Sequence, residues 1–182
     1  MENSKRSTTR FITEAGIMLA LTFILNTFKL TELPQGGSIT LGGYVPLLIF
    51  GFRWGWKKGI VLGALYGLLD FALDPFFLNP LQFILDYPLA YAMLGLTGLF
   101  SNSLEKNGKV NYVVLVLGTV VATLLRMLSA VISGVVYFSE YLPKDKPFFV
   151  GSLIYNGTYT IPNMIIAIIL ILIIYPRIKD RL

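Results

Sequence analysis

The chain contains no cysteine and no histidine. Without cysteine there are no disulfides and no thiolate metal sites. Without histidine, the commonest general base and the commonest transition-metal ligand are missing. Charge is also scarce, with only 14% of the 182 residues being Asp, Glu, Lys or Arg. No phosphate loop of the G-x-x-x-x-G-K-[ST] type is present, so the chain cannot hydrolyse a nucleotide by that route. Nor is there a G-x-S-x-G elbow. An intramembrane enzyme would have to run on Asp, Tyr and Arg alone. The expectation is therefore a protein that is not an enzyme and carries no cofactor.

Apolar residues are abundant instead: 55% of the chain is hydrophobic and the mean hydropathy is +0.70. A soluble domain of this composition could not make its surface polar enough. A transmembrane helix needs about 20 apolar residues, and six segments approach that length. They are Phe11–Phe28, Ile39–Phe52, Gly59–Leu73, Phe76–Phe100, Tyr112–Phe138 and Phe149–Tyr175. The short basic start before Phe11 resembles a signal peptide, but no small-residue cleavage site follows, so the first segment reads as an uncleaved span. The fold class expected is an all-α integral membrane protein, a six-transmembrane-helix bundle with both termini cytoplasmic. Residues 1–182 form one membrane-embedded domain in this reading, with no long linker and no repeat.

The basic residues set the orientation. Lys5, Arg6, Arg10, Arg53, Lys57, Lys58, Lys106, Lys109, Arg177, Lys179 and Arg181 fall on one side, against Lys29, Lys144 and Lys146 on the other. That split of 11 to 3 makes the first side cytoplasmic. The net charge of +5 is thus a topology signal and a contact for the lipid bilayer; no soluble basic domain exists to bind nucleic acid. A multi-pass protein of the cell (plasma) membrane follows.

Four ionisable residues lie in or beside the spans: Glu14, Asp70, Asp86 and Arg126. A carboxylate in the bilayer costs about 3 kcal/mol if unpaired. Glu14 is read as an i,i+4 partner of Arg10. Asp70, near an outer end, is read first as hydrated or capping a neighbour, with function as the alternative. Asp86 and Arg126 are deeper, about 15 and 18 Å below the outer ends of their spans at helical rise. They share a depth and could pair. Gln82, Tyr87, Tyr137, Phe138, Tyr155, Asn156, Thr158 and Tyr159 fall near the same level, and Pro80, Pro88 and Pro162 interrupt the helices there. Interrupted helices at membrane depth line cavities. Rings beside a carboxylate and an amide suit a flat, nitrogen-rich ligand, although an aromatic belt and helix packing account for part of the cluster. Small-residue stripes at Gly16/Ala20 and at Gly59/Gly63/Gly67 mark helix contacts, internal or with a partner.

Several stretches together resemble a known family. Pro34-Gln-Gly-Gly-Ser-Ile-Thr-Leu41, Val45-Pro46 and Arg53-Trp-Gly55 are similar to the first loop and second helix of the thiamine-specific S-components of energy-coupling factor (ECF) transporters. Leu78-Asn-Pro-Leu-Gln-Phe-Ile-Leu-Asp-Tyr-Pro-Leu-Ala90 and Gly95-Leu-Thr-Gly-Leu-Phe100 resemble the fourth helix. Leu125-Arg-Met-Leu-Ser129, Ile132-Ser-Gly-Val-Val-Tyr-Phe138 and Ser152-Leu-Ile-Tyr-Asn-Gly-Thr-Tyr159 resemble the fifth and sixth.

The resemblance implies a vitamin-capture subunit, partnered by an ECF transmembrane coupling protein and two ATPase subunits. It implies that Asp86 and Tyr87 hold the ligand's aminopyrimidine, that Asn156 hydrogen-bonds, and that Gly134 and Phe138 belong to the same site. Gly16 and Ala20 match the contact with the coupling protein. Two positions depart from the family: Ala130 replaces an expected His, and Gly151 an expected Tyr. Asn163 stands where an acid is expected. The losses at Ala130 and Gly151 predict a larger pocket, for thiamine or a bulkier heterocycle. In this reading Asp86 accepts from ligand N–H groups, Tyr87 and Phe138 stack or clamp, Tyr155 lies nearby, and the Pro34–Leu41 loop closes as a lid. Arg126 either holds Asp86 ionised or contacts an anionic tail. The rival is a stand-alone secondary transporter with an ion site at Asp86 or Asp70, against which stands the lack of an internal repeat.

Overall fold

The computed structural model describes residues 2–106, 108–137 and 147–179. Phe138 and residues 139–146 lie outside the described residues.

Helix α1 (Glu2–Thr27) lies along one side of the bundle. Phe11, Ala15, Met18 and Leu19 join the core, while Ile12, Ile17, Leu21 and Ile24 face outward. A two-stranded antiparallel hairpin follows, β1 (Lys29–Glu32) and β2 (Ser38–Thr40), pairing Thr31 with Ile39 and Glu32 with Ser38. Its turn needs left-handed backbone at Gln35 (φ 63°) and Gly36 (φ 88°), and a glycine holds the second at little steric cost.

Helix α2 (Val45–Trp54) is buried without interruption from Val45 to Phe52. A helix apolar on every face belongs in a core, and α2 is the centre of this one. It stops at Gly55, whose φ of 83° turns the chain directly into α3 (Trp56–Leu73). Gly59, Gly63 and Gly67 then bring α3 so close to the next helical run that a Cβ on Gly59 would come within 2.6 Å of the Gly95 carbonyl and one on Gly67 within 2.7 Å of the Pro88 Cα. This stripe serves internal packing. The stripe at Gly16 and Ala20 is exposed, and nothing lies within 4 Å of the Cβ position at Gly16.

The fourth segment is broken. Helix α4 (Pro80–Asp86) is capped by Asn79, whose side chain accepts from the Leu81 N–H. Tyr87, with non-helical φ −109° and ψ −86°, separates it from α5 (Pro88–Leu94), and a 3₁₀ stretch continues from Gly95 to Ser103. Pro88 has no N–H to extend α4, and Ser129 Oγ donates to the Leu85 carbonyl at the break (2.6 Å). A small hairpin, β3 (Glu105–Lys106) and β4 (Lys109–Val110), leads to α6 (Tyr112–Tyr137). Helix α7 (Phe148–Ile178) packs along α6.

Four helical runs among the described residues are long and apolar enough to cross a membrane: Thr8–Thr27, Pro80–Ser103, Tyr112–Tyr137 and Phe148–Ile178. The second expected span is shorter than predicted, because Ile39 and Thr40 belong to β2 and only ten residues form α2. The third, α3, has 18 residues but carries Lys57, Lys58 and Asp70.

Candidate functional site

One cavity of about 540 Å³ opens between the β1–β2 hairpin, the ends of α1 and α3, the α4–α5 break, α6 and α7. The hairpin covers it. Tyr155 on α7 accepts from the Gly37 N–H (3.1 Å) and donates to the Pro34 carbonyl. Two turns further along α7, Asn163 donates to the Ser38 carbonyl (2.8 Å) and accepts from the Thr40 N–H (2.9 Å). An acid at 163, which the family resemblance led one to expect, would lose that donor when ionised; the amide satisfies both strands of contact. Lys29 adds an ion pair to Glu32 (2.7 Å) and a longer one to Asp74 (3.5 Å), beside α3. The hydrogen bond to Glu32 leads the effects that raise the Lys29 pKa above the usual lysine value.

Asp86, Tyr87, Arg126, Ala130, Gly134, Gly151, Tyr155 and Asn156 all line this cavity. Three features of their geometry bear on the expectation. First, no ion pair joins Asp86 to Arg126. Asp86 Oδ2 instead accepts from the buried amide of Gln82 (2.7 Å), whose own oxygen accepts from the Leu78 N–H. Equal depth does not bring two side chains together when each helix also has a rotation, and the break at Tyr87 resets that of the fourth segment.

Second, Arg126 is only 8% exposed and rests on two rings, 4.6 Å from the Tyr44 centroid and 4.9 Å from that of Tyr91. Its Nε and Nη1 are buried without a hydrogen-bond partner. Unpartnered buried N–H groups cost about 1–3 kcal/mol each, and this guanidinium bears that cost at the cavity wall.

Third, the Tyr87 hydroxyl is engaged by the loop above it, accepting from the Phe76 N–H (3.0 Å) and donating to the Asp74 carbonyl (3.3 Å). Its ring packs edge-on to Phe71. Tyr87 therefore presents a fixed ring at the cavity wall.

Asn156 is likewise fixed. Its Nδ2 donates to the Ser152 carbonyl (2.9 Å), and its Oδ1 accepts from the Tyr159 hydroxyl (2.5 Å). Gly134 lies directly against Ser152 and within ordinary contact of Asn156, so its missing side chain permits the α6–α7 approach at this level. Ala130 and Gly151 leave their two positions on the wall without bulk.

The residues that sequence reasoning underweighted are Asp70, Tyr44, Tyr91 and Asn26, which line the same cavity. Asn26 donates to the Tyr66 hydroxyl (2.9 Å), which donates to Asp70 (3.3 Å). The signal available was Asp70 itself, a second acid close to a span's end. Glu14 was read as a partner of Arg10 alone; it also takes two bonds from Arg53 (2.6 and 2.8 Å) and one from the Trp54 indole (2.8 Å).

Membrane-length helices around a cavity covered by a hairpin mark a membrane protein. The match to a family model described as thiamine transporter protein (Thia_YuaJ) covers residues 12–181, and the chain belongs to that family. It is 36% identical to the thiamine transporter ThiT of Bacillus subtilis, over 95% of this chain and 93% of that protein. It is 29% identical to the thiamine transporter ThiT of Lacticaseibacillus paracasei, over 86% of this chain and 80% of that one. The solved structure of ThiT from Listeria monocytogenes has the same fold, with a TM-score of 0.83 at 21% identity, over 96% of this chain and 97% of that one. The family is one of transporters and not a class of enzymes.

Proposed function

We propose that this chain is the substrate-binding S-component of an ECF-type vitamin importer and captures thiamine or a closely related heterocycle from outside the cell. The observation that carries the reading is the covered cavity, in which a carboxylate and a guanidinium with two unpartnered nitrogens face the same space. An aminopyrimidine presents donor and acceptor atoms along one edge. Asp86, with Oδ2 held by Gln82, accepts from the amino group, while Arg126 donates to a ring nitrogen or another acceptor. The rings of Tyr87, Tyr91 and Tyr159 supply apolar and π surface. The hairpin admits the ligand by releasing Tyr155 and Asn163 and closes by remaking those bonds.

The bundle in this reading crosses the plasma membrane six times, with α2 and α3 completing the count and both termini in the cytoplasm. The chain has no nucleotide motif, so energy comes from a coupling protein with two ATPases. The exposed Gly16 and Ala20 on α1 are where that coupling protein would dock. Nothing in the basic residues calls for nucleic acid.

Titration of the purified protein with thiamine, followed by intrinsic Tyr and Trp fluorescence, is the test. A saturable change is expected, and its absence would sink the thiamine reading. Reconstituted vesicles separate the rival transporter: uptake driven by an ion gradient without any ATPase would overturn the S-component assignment.

A further inference from the structure

Asp70 has a placement that packing does not explain. It sits in the last turn of α3, where its backbone carbonyl accepts from the Asp74 N–H. The C-terminal end of a helix carries partial negative charge, so a carboxylate is disfavoured there. The side chain faces the cavity, and no lysine or arginine comes within ion-pairing distance of it among the described residues. Yet the carboxylate is held in place. Asn26 at the end of α1 donates to the Tyr66 hydroxyl, and that hydroxyl donates to Asp70 Oδ1. Tyr91 and the Arg126 charge act on it as well; these contacts orient the carboxylate without an ion pair among the described residues, which leaves room for a cationic partner.

The charges on the cavity wall say what that partner is. Asp70, Asp74 and Asp86 face Lys29 and Arg126, leaving one negative charge in excess. At the mouth, Lys29 is already engaged by Glu32 and Asp74. Deeper in, Asp70 and Asp86 stand against Arg126 alone. Arg126 is an independent sign that the space receives a ligand's polar atoms, being more than nine-tenths buried with two N–H groups unpartnered.

We infer that Asp70 is a second recognition carboxylate, which selects a monocationic ligand by pairing with its positively charged ring while Asp86 reads the amino group at the other end. This rests on the heterocycle reading given above and adds to it the choice between a charged and an uncharged ligand of the same shape. The Asn26–Tyr66 relay positions the carboxylate; Asp70 itself touches the ligand.

The experiment compares thiamine, whose thiazolium is cationic, with its neutral thiophene isostere, by fluorescence titration of the full chain in detergent. Charge-assisted contacts are worth about 1.5–3 kcal/mol, about tenfold or more in affinity. The wild-type protein is expected to prefer thiamine by at least that factor. Asp70→Asn keeps an acceptor for Tyr66 and should abolish the preference by weakening thiamine alone, and Asp70→Glu should restore much of it. Tyr66→Phe should reduce the preference by a smaller factor. Equal affinity of the wild type for both compounds overturns the inference without touching the thiamine reading. So does an Asp70→Asn variant that loses both ligands alike or neither. Failure of the wild type to bind either compound overturns the thiamine reading itself, and this inference with it.

Discussion

Two clusters of charge sit in this molecule, and they are built on opposite rules. At the corner where α1 meets α2 and α3, Glu14 receives Arg10, Nε and Nη2 of Arg53 and the Trp54 indole, and Lys58 lies over the Trp54 ring (4.4 Å). Each oxygen of that carboxylate is occupied. In the cavity, Asp70, Asp86 and Arg126 share a space without pairing, and Arg126 keeps two N–H groups unpartnered. Closed charges join helices; the cavity charges stay open to the space between them. Had the cavity charges served only the fold, joining Asp86 to Arg126 would have been the cheaper arrangement.

Breaking the closed cluster should have the largest effect on stability. Glu14→Ala leaves the Arg53 guanidinium without its carboxylate at a site only 16% exposed, at a cost of about 3 kcal/mol. Thermal unfolding in detergent should show it as a lower midpoint, with thiamine affinity changed less than about twofold. Breaking the open cluster should do the reverse. Asp86→Asn retains an oxygen for Gln82 but no charge for a ligand amino group, so affinity should fall about 30-fold, or about 2 kcal/mol, at an unchanged midpoint. If both variants lost stability and affinity together, the difference between the clusters would vanish.

The lid supplies smaller effects. Tyr155→Phe removes one acceptor and one donor to the hairpin, about 1 kcal/mol, and should speed ligand release about fivefold in stopped-flow chase experiments. The pairing of Lys29 is weaker still. Its pKa is raised in the folded protein, above all by Glu32. Such a contribution is complete below the usual lysine value and is lost only as pH rises through the raised one. Release rates should therefore be flat through the neutral range, climb only in strong alkali, and change less than about twofold with added salt.

Much of the site was legible because membrane interiors make charge conspicuous. Asp86 and Arg126 stood out against apolar neighbours, and the rings and amide at their level followed from counting residues along helices. What one dimension could not show was azimuth. The pairing of Asp86 with Arg126 failed on it, and Tyr44 and Tyr91, which carry the guanidinium, look like any other aromatics in the sequence. Asp70 was discounted for lying near an end, where water usually reaches. Asn163 drew notice as a departure, but its bonds to β2 depend on a hairpin that lies more than a hundred residues away in the chain. In the fold, four of the six expected segments form membrane-length helices, while α2 spans ten residues because a strand takes its first two expected positions and Gly55 ends it. Length and hydropathy cannot see either event.

The glycine stripe on α3 has a consequence for how such a site can change over generations. Gly63 and Gly67 press against the backbone at Tyr91 and Tyr87, so those two cavity residues are placed by main chain on main chain. No side chain there can be traded to move them. Ala130 and Gly151, by contrast, stand on α6 and α7 as bare positions on the opposite wall. The cavity thus has one part of its wall that heredity can scarcely edit and another that single substitutions can re-contour. The second part can change while the first keeps its register.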